Sequence, residues 1–320
     1  MNFIKEPIKS SDQIIATARE LGAAGRKKMV AVAGAQDVDV LGALASARDE
    51  GILEATLFGD KAVIRELAEK NGIDLAGFVI VNVAGAAAAA HEAVKMASEG
   101  DADVIMKGFV STSALLKTVL AREFNLRTEN TLSHTAVLGL PGYHKLLSIT
   151  DGGMVVRPDR EQKKQILENA AMVCRALGIN PVRVALSGGV DKAYESIPHS
   201  TEVMHFIDEF ASAGYTDVVL QGPLTLDAAT SKEIAARKGI DGPVVGEADI
   251  YLVNTIEECN IITKSLINFA GAIFAGVIVG ARVPVSLVSR TDTMTNKKAS
   301  VSIACLIAEY YRSLDERGTA

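Results

Sequence analysis

The chain has 320 residues, of which 48% are hydrophobic and 22% charged, and it carries a formal net charge of −6 with a pI near 5.5. These proportions exclude a disordered or fibrous polypeptide and give no general attraction to nucleic acid or an anionic membrane, so an anionic ligand must be held by local cations. The length corresponds to about two domains and suffices to bury roughly three quarters of the unfolded surface without disulfides or metal.

In chain order, residues 1–10 lack the apolar core of a signal peptide. The patterning then predicts a helix at 11–24, a strand at 28–34, a helix at 38–50, a strand at 55–59, a helix at 61–71, a strand at 78–83, a helix at 85–99, a strand at 103–108 and a helix at 113–122. A polar stretch at 125–133 breaks the pattern and marks a first crossing between domains. Beyond it come a strand at 146–150, a helix at 159–177, a strand at 182–187, a helix at 201–213, a strand at 217–222, a helix at 227–237, a strand at 248–253 and a helix at 257–270. Strands at 276–280 and 284–288 and a helix at 295–312 complete the series. The apolar run 266–281 is shorter than a membrane helix requires and is interrupted by Asn268, Gly271, Gly276 and Gly280, so it reads as a buried helix leading into a buried strand. Several strands are continuous apolar runs, which suits strands covered on both faces. Their alternation with helices predicts an α/β protein with mainly parallel sheets and right-handed crossovers.

Familiar catalytic signatures are missing. The first strand–helix turn, Val32-Ala33-Gly34-Ala35-Gln36-Asp37, lacks GxGxxG; Gly34 serves the turn there, and Asp37 caps the next helix or meets a ligand. There is no GxxxxGK[ST], GxSxG or HExxH. His91-Glu92 runs into Ala93-Val94-Lys95, His199 and His205 do not share a helical face, and His134 and His144 lie near polar stretches, so the histidines read as structural or solvated. Cys174, Cys259 and Cys305 are odd in number and widely spaced, which fits a reducing cytoplasm.

Two segments carry more chemistry. Lys107-Gly108-Phe109-Val110-Ser111-Thr112-Ser113 follows a strand and opens a helix. Free backbone N–H groups and the positive end of the helix dipole make such a turn a phosphate site, although Ser and Thr also occur there as ordinary caps. At 284–292 a buried strand delivers Ser289, Arg290 and Asp292 within four residues. Arginine offers a planar donor fork for phosphate or a developing oxyanion, and the carboxylate serves as a base; a plain surface ion pair is the alternative. Ser187-Gly188-Gly189 and Gln221-Gly222-Pro223 also follow strands, either lining a cleft or forming simple turns.

Taken together, Met106-Lys107-Gly108-Phe109-Val110-Ser111-Thr112, Leu132-Ser133-His134, Thr150-Asp151-Gly152-Gly153-Met154, Gly222-Pro223-Leu224-Thr225-Leu226-Asp227, Ile256-Glu257-Glu258-Cys259-Asn260 and Ser289-Arg290-Thr291-Asp292 resemble the phosphate acetyltransferase/phosphate butyryltransferase family, and more closely its butyryltransferase branch. The resemblance implies a two-domain α/β fold like that of isocitrate and isopropylmalate dehydrogenases, with mainly parallel sheets and an active site in the inter-domain cleft. It implies an outer discontinuous α/β domain at 1–130 plus 288–320 and a central α/β domain at 131–287. It further implies a cytoplasmic homodimer or higher homo-oligomer, without nucleic-acid or membrane partners, that converts acyl-CoA and phosphate to acyl phosphate and CoA. Coenzyme A would be a substrate, with no tightly bound cofactor and no metal.

The same resemblance assigns Arg290 to phosphate or the oxyanion, Ser289 to the thioester or thiol, and Asp292 to the proton. The catalytic Asp of acetyltransferase members falls near Asn296 in this register. Lys107, Ser111, Thr112 and Ser113 would bind phosphate, and Arg282, Arg127 and Lys297 the CoA phosphates. Departures from the branch are Tyr194-Glu195-Ser196-Ile197 for Asn-Pro-Lys-Met, Gln221 for Asp before Gly-Pro, Ala228 for Asn after Leu-Asp, and Gly152-Gly153 for Ala-Ala. They leave open the acyl group, a non-catalytic CoA- or acyl-phosphate-binding paralogue, and a metal- and NAD-dependent dehydrogenase of the same fold.

Overall fold

A computed structural model describes residues 4–212 and 214–318. Ala213, placed at the end of one expected helix, lies outside the described residues, as do positions 1–3 and 319–320 of the expected outer domain. The chain divides into two compact units, one built mainly from 11–130 with 275–318, the other from 131–274 with 5–10.

The first unit opens with α1 (Ser11–Ala23), β1 (Lys28–Ala33), α2 (Val38–Asp49), β2 (Leu53–Gly59), α3 (Lys61–Lys70), β3 (Val79–Asn82), α4 (Ala86–Ser98), β4 (Val104–Lys107) and α5 (Thr112–Val119). The second unit holds β5 (Ser133–Gly139), β6 (Leu146–Thr150), α6 (Arg160–Ala176), β7 (Val182–Ser187), α7 (Pro198–Ser212), β8 (Val218–Leu224), α8 (Leu226–Thr230), α9 (Lys232–Lys238), β9 (Ile250–Leu252) and α10 (Ile256–Ala270). The chain then returns through β10 (Ile273–Val279), β11 (Val285–Ser286) and α11 (Met294–Asp315). Among the described residues no helix is long and apolar enough to cross a membrane.

The strand order in the first unit is β3-β2-β1-β4-β11-β10, parallel throughout except for the β10–β11 pair. The second unit runs β5-β6-β9-β7-β8, with only β5–β6 antiparallel. Val30, Ala31, Val32 and Ala33 of β1 are all fully buried, as a strand covered on both faces requires. Ala89, Ala90, Ala93, Val94 and Ala97 form the inner stripe of α4, and their small side chains let the helix lie close to β1. From Ala299 to Glu309 every residue of α11 is buried, so this helix is a core element packed on α1 and α2. Its far end carries Glu309, which accepts from Lys28 and Arg26, each at 2.7 Å, and pairs with Arg312 at 2.9 Å. Burial pushes the Glu309 carboxyl up, but the bonds from Lys28 and Arg26 outweigh it and hold the group below its ordinary value.

The alternating α/β reading agrees with these elements, and four details differ. Residues 5–10, expected in the outer domain, belong to the second unit, where the Ile8 N–H donates to the Leu177 carbonyl at 3.0 Å. β5 went unpredicted because its opening Ser133-His134-Thr135 looks polar, yet all three residues are buried. The helix expected at 227–237 is two helices. Ser231 between them has extended backbone, ends α8, and caps α9 by accepting from the Ile234 N–H at 3.3 Å. The return to the first unit falls at 274/275 rather than 287/288. The reason is pairing: β11 joins β4 in parallel and β10 in antiparallel register, so both strands extend the first unit's sheet.

Candidate active site

β1, β4 and β11 lie side by side and parallel, so their carboxyl ends share one edge of the sheet. The turns that follow lead into α2, α5 and α11. Every site residue expected from the sequence belongs to this unit.

The first two turns cross closely. The Phe109 N–H donates to the Gly34 carbonyl at 2.5 Å, and the Gly108 N–H donates to the Ala33 carbonyl at 2.9 Å. A Cβ on Gly108 would sit 2.1 Å from the Gly34 oxygen, and Gly34 itself has φ +75°. Both glycines are therefore required by the crossing. Asp37 caps α2 by accepting from the Val40 N–H at 3.0 Å, which realises the capping role.

Lys107 ends β4 and is only 5% exposed. Its Nζ reaches the Gly108 carbonyl at a long 3.4 Å. Burial depresses its pKa; Arg290 depresses it further, Asp37 opposes, Lys297 adds to the depression and Asp292 opposes. Lys107 is thus a buried ammonium with a single long hydrogen bond, a group that an anion would stabilise. Ser111 caps α5: its Oγ accepts from the Ala114 N–H at 3.1 Å and lies 3.3 Å from Ser113 Oγ. The ordinary cap is thus present, and Thr112 and Ser113 open the helix beside it.

The third turn is closed by its own side chains. Asp292 Oδ2 accepts from the Ser289 N–H at 2.5 Å, the Asp292 N–H donates to the Ser289 carbonyl at 3.2 Å, and the Ser289 and Thr291 hydroxyls are 3.1 Å apart. Arg290 is exposed, and its guanidinium carbon lies 4.8 Å from the centroid of the Phe109 ring. The Ser289–Asp292 turn and the 107–113 turn thus meet. The Asn296 amide, at the register of the acetyltransferase Asp, is buried and has no titratable proton.

The expected CoA-binding residues divide. Arg127 bridges Ala281 in antiparallel fashion, the Arg282 N–H donates to the Leu126 carbonyl at 2.9 Å, and Thr128 Oγ1 donates to the Gly280 carbonyl at 2.6 Å. This short ladder brings two exposed arginines to neighbouring positions. Lys297 is a correction. It is 1% exposed, its Nζ donates to the Asp292 carbonyl at 2.6 Å and lies 3.9 Å from Asp39 Oδ2, so it braces the third turn from inside instead of standing at a rim. Its neighbour Lys298 points elsewhere, to Glu50 and Ser46.

In the second unit, the motifs hold structure. Asp151 accepts from the N–H groups of His134, Gly153, Met154 and Val155, at 2.8 to 3.2 Å. His134 stands on β5 and is buried with neither ring nitrogen bonded; burial pushes its pKa down against the pull of Asp151. Gln221 donates to the Asp241 carbonyl at 2.8 Å and accepts from the Val244 N–H at 2.9 Å, a pair of bonds that an aspartate could not make. A Cβ on Gly188 would meet Pro223 Cβ at 2.3 Å, so these two glycine turns pack on each other.

Sequence reasoning missed Phe109 as a partner of Arg290 and Asp39 as a neighbour of Lys297. The first carried only a faint signal, an aromatic inside a glycine–hydroxyl turn. The second carried none, because the contact joins distant segments.

The family described as phosphate acetyl/butaryl transferase matches residues 86–305. A phosphate butyryltransferase of Clostridium beijerinckii is 36% identical over 94% of this chain and 98% of its own length. The crystal structure of a branched-chain phosphotransacylase from Enterococcus faecalis V583 superposes with a TM-score of 0.78 at 32% identity, covering 88% of this chain and 99% of the other. A 4-hydroxythreonine-4-phosphate dehydrogenase from Klebsiella pneumoniae, 14% identical, shares the fold alone with a TM-score of 0.57, covering 88% of this chain and 99% of its own.

Proposed function

Because the chain belongs to the phosphate acetyl/butyryl transferase family, we propose that it is an acyltransferase exchanging a short-chain acyl group, butyryl or similar, between coenzyme A and inorganic phosphate. The observation that carries this reading is that the turn holding Arg290 meets, through the Arg290–Phe109 contact, the turn that holds buried Lys107 and the hydroxyls of Ser111, Thr112 and Ser113. Phosphate needs cations and hydrogen-bond donors at one spot, and an acidic protein supplies them here locally.

The reaction asks for phosphate aimed at the thioester carbonyl, charge stabilised on the tetrahedral intermediate, and a proton for the departing thiolate. In this proposal Lys107, Thr112, Ser113 and Ser111 hold phosphate, and Arg290 supplies donors to phosphate and the oxyanion. Preorganised donors of this kind contribute roughly 10²–10³ in rate. Ser289 orients the thioester sulfur. Asp292, on the same turn, carries the proton of the departing thiol. A positioned acid or base adds about 10²–10⁴. No covalent enzyme intermediate is required, since holding both substrates together supplies the proximity. The neighbouring arginines Arg127 and Arg282 take the CoA phosphates. A homodimer is part of the same proposal, as is the cytoplasm, which the three buried free cysteines support.

The test is an acetyl-, propionyl-, butyryl- and isobutyryl-CoA panel with phosphate, reading free thiol. Phosphate-dependent release is expected, with Arg290→Ala lowering turnover by at least about tenfold at unchanged circular dichroism. No release from any thioester refutes the reading, and full turnover in Arg290→Ala refutes the assignment.

A further inference from the structure

Arg290 faces an electrostatic difficulty before any anion arrives. Arg290 stands close enough to Lys107 to depress that lysine's pKa, and like charges drive a solvent-exposed guanidinium away from the place where it is needed. An aromatic face in contact with it is that of Phe109. We propose that Phe109 is a positioning residue, whose ring holds the Arg290 guanidinium in place for phosphate. The proposal rests on Arg290 being the phosphate-facing group in the reaction above.

Three features support it. The guanidinium carbon is 4.8 Å from the ring centroid, within cation–π range. Both ends of the contact start from fixed backbone. The Phe109 N–H is bonded to Gly34 at the crossing of the first two turns, and Arg290 sits in a turn closed by Ser289 and Asp292 and braced by Lys297. Only the long arginine side chain is left to be ordered, and an aromatic face does this without adding a carboxylate that would compete with phosphate. Lastly, the ring is 47% exposed, so replacing it removes no core packing and the variants fold.

The experiment compares Phe109→Leu, which keeps the apolar bulk and loses the π face, with Phe109→Tyr, which keeps both. Steady-state kinetics are read for phosphate and for acyl-CoA, and inorganic phosphate is titrated by calorimetry into the full chain. Phe109→Leu is expected to raise the phosphate KM and Kd by about threefold or more, with the acyl-CoA KM unchanged, and Phe109→Tyr to stay within about twofold of the unaltered protein. Equal phosphate constants in all three proteins overturn the proposal. So does a changed acyl-chain ranking at constant phosphate KM, which would make the ring an acyl contact. Should the unaltered protein release no CoA from any thioester, the acyltransferase reading fails by itself and the calorimetric comparison still decides Phe109: weaker phosphate binding by the Leu variant upholds the contact, and equal or absent binding overturns it.

Discussion

Asp292 is asked to do two things, to shape a turn and to move a proton, and the structure allows them to be separated. Its Oδ2 accepts from the Ser289 N–H. An asparagine keeps an acceptor oxygen for that bond and loses the titratable proton. Asp292→Asn should therefore leave the phosphate KM within about twofold while kcat falls at least about tenfold and its pH dependence flattens. An unchanged pH–rate profile moves the proton to another group. At this scale the sequence was legible for position, not for role: Lys107 ends β4, and Ser289 and Arg290 lie in the turn that follows β11. It was illegible for Lys297 and Lys298, because adjacent lysines at the start of a helix look alike. Only the burial of α11 on its inner side decides which of them turns inward.

Elements meet tightly where the turns after β1 and β4 cross. The Gly108 Cα approaches the Gly34 carbonyl so closely that no side chain fits. Gly108→Ala must push the two turns apart, at a cost of about 1–3 kcal/mol, and it displaces the backbone that carries Lys107 and Phe109. Thermal unfolding should report a lower midpoint, together with reduced turnover at 25 °C; an unaltered midpoint contradicts the crossing as described. Most elements could be read from hydrophobic periodicity. The exceptions have physical causes: β5 begins with Ser133, His134 and Thr135, whose polarity hides a buried strand, and Ser231 splits a continuous helical pattern because its hydroxyl serves the second helix better as a cap than the first as a member.

For the whole molecule, carboxylates decide the response to acid. Arg175 holds Asp217 low; Glu247 is drawn down to about 2 by Lys232 and, against its burial, by His144 and Lys145; Glu309 is held low, against its burial, by Lys28 and Arg26. A carboxylate depressed on folding stabilises the native state above its unfolded pKa of roughly 4 and loses that contribution as pH falls through the folded value. Stability to urea should thus be flat near neutrality and decline below about pH 4.5 toward pH 2; a flat profile down to pH 2 would disprove the sign. The two-part division was legible at its first crossing, where a polar stretch interrupts the pattern. The second was not, since β10 and β11 read as ordinary apolar strands wherever they belong, and only the pairing of β11 with β4 and of β10 with β11 assigns them.

That pairing has a consequence for how the protein is made. On a ribosome, all five strands of the second unit have been synthesised before β10, β11 and α11 exist. The first unit meanwhile waits with an open sheet edge at β4 and an uncovered face on α1 and α2. A translation product halted before residue 273 holds Lys107 and the hydroxyl turn but neither Arg290 nor the helix that braces it, so an aborted chain has only half of the proposed site.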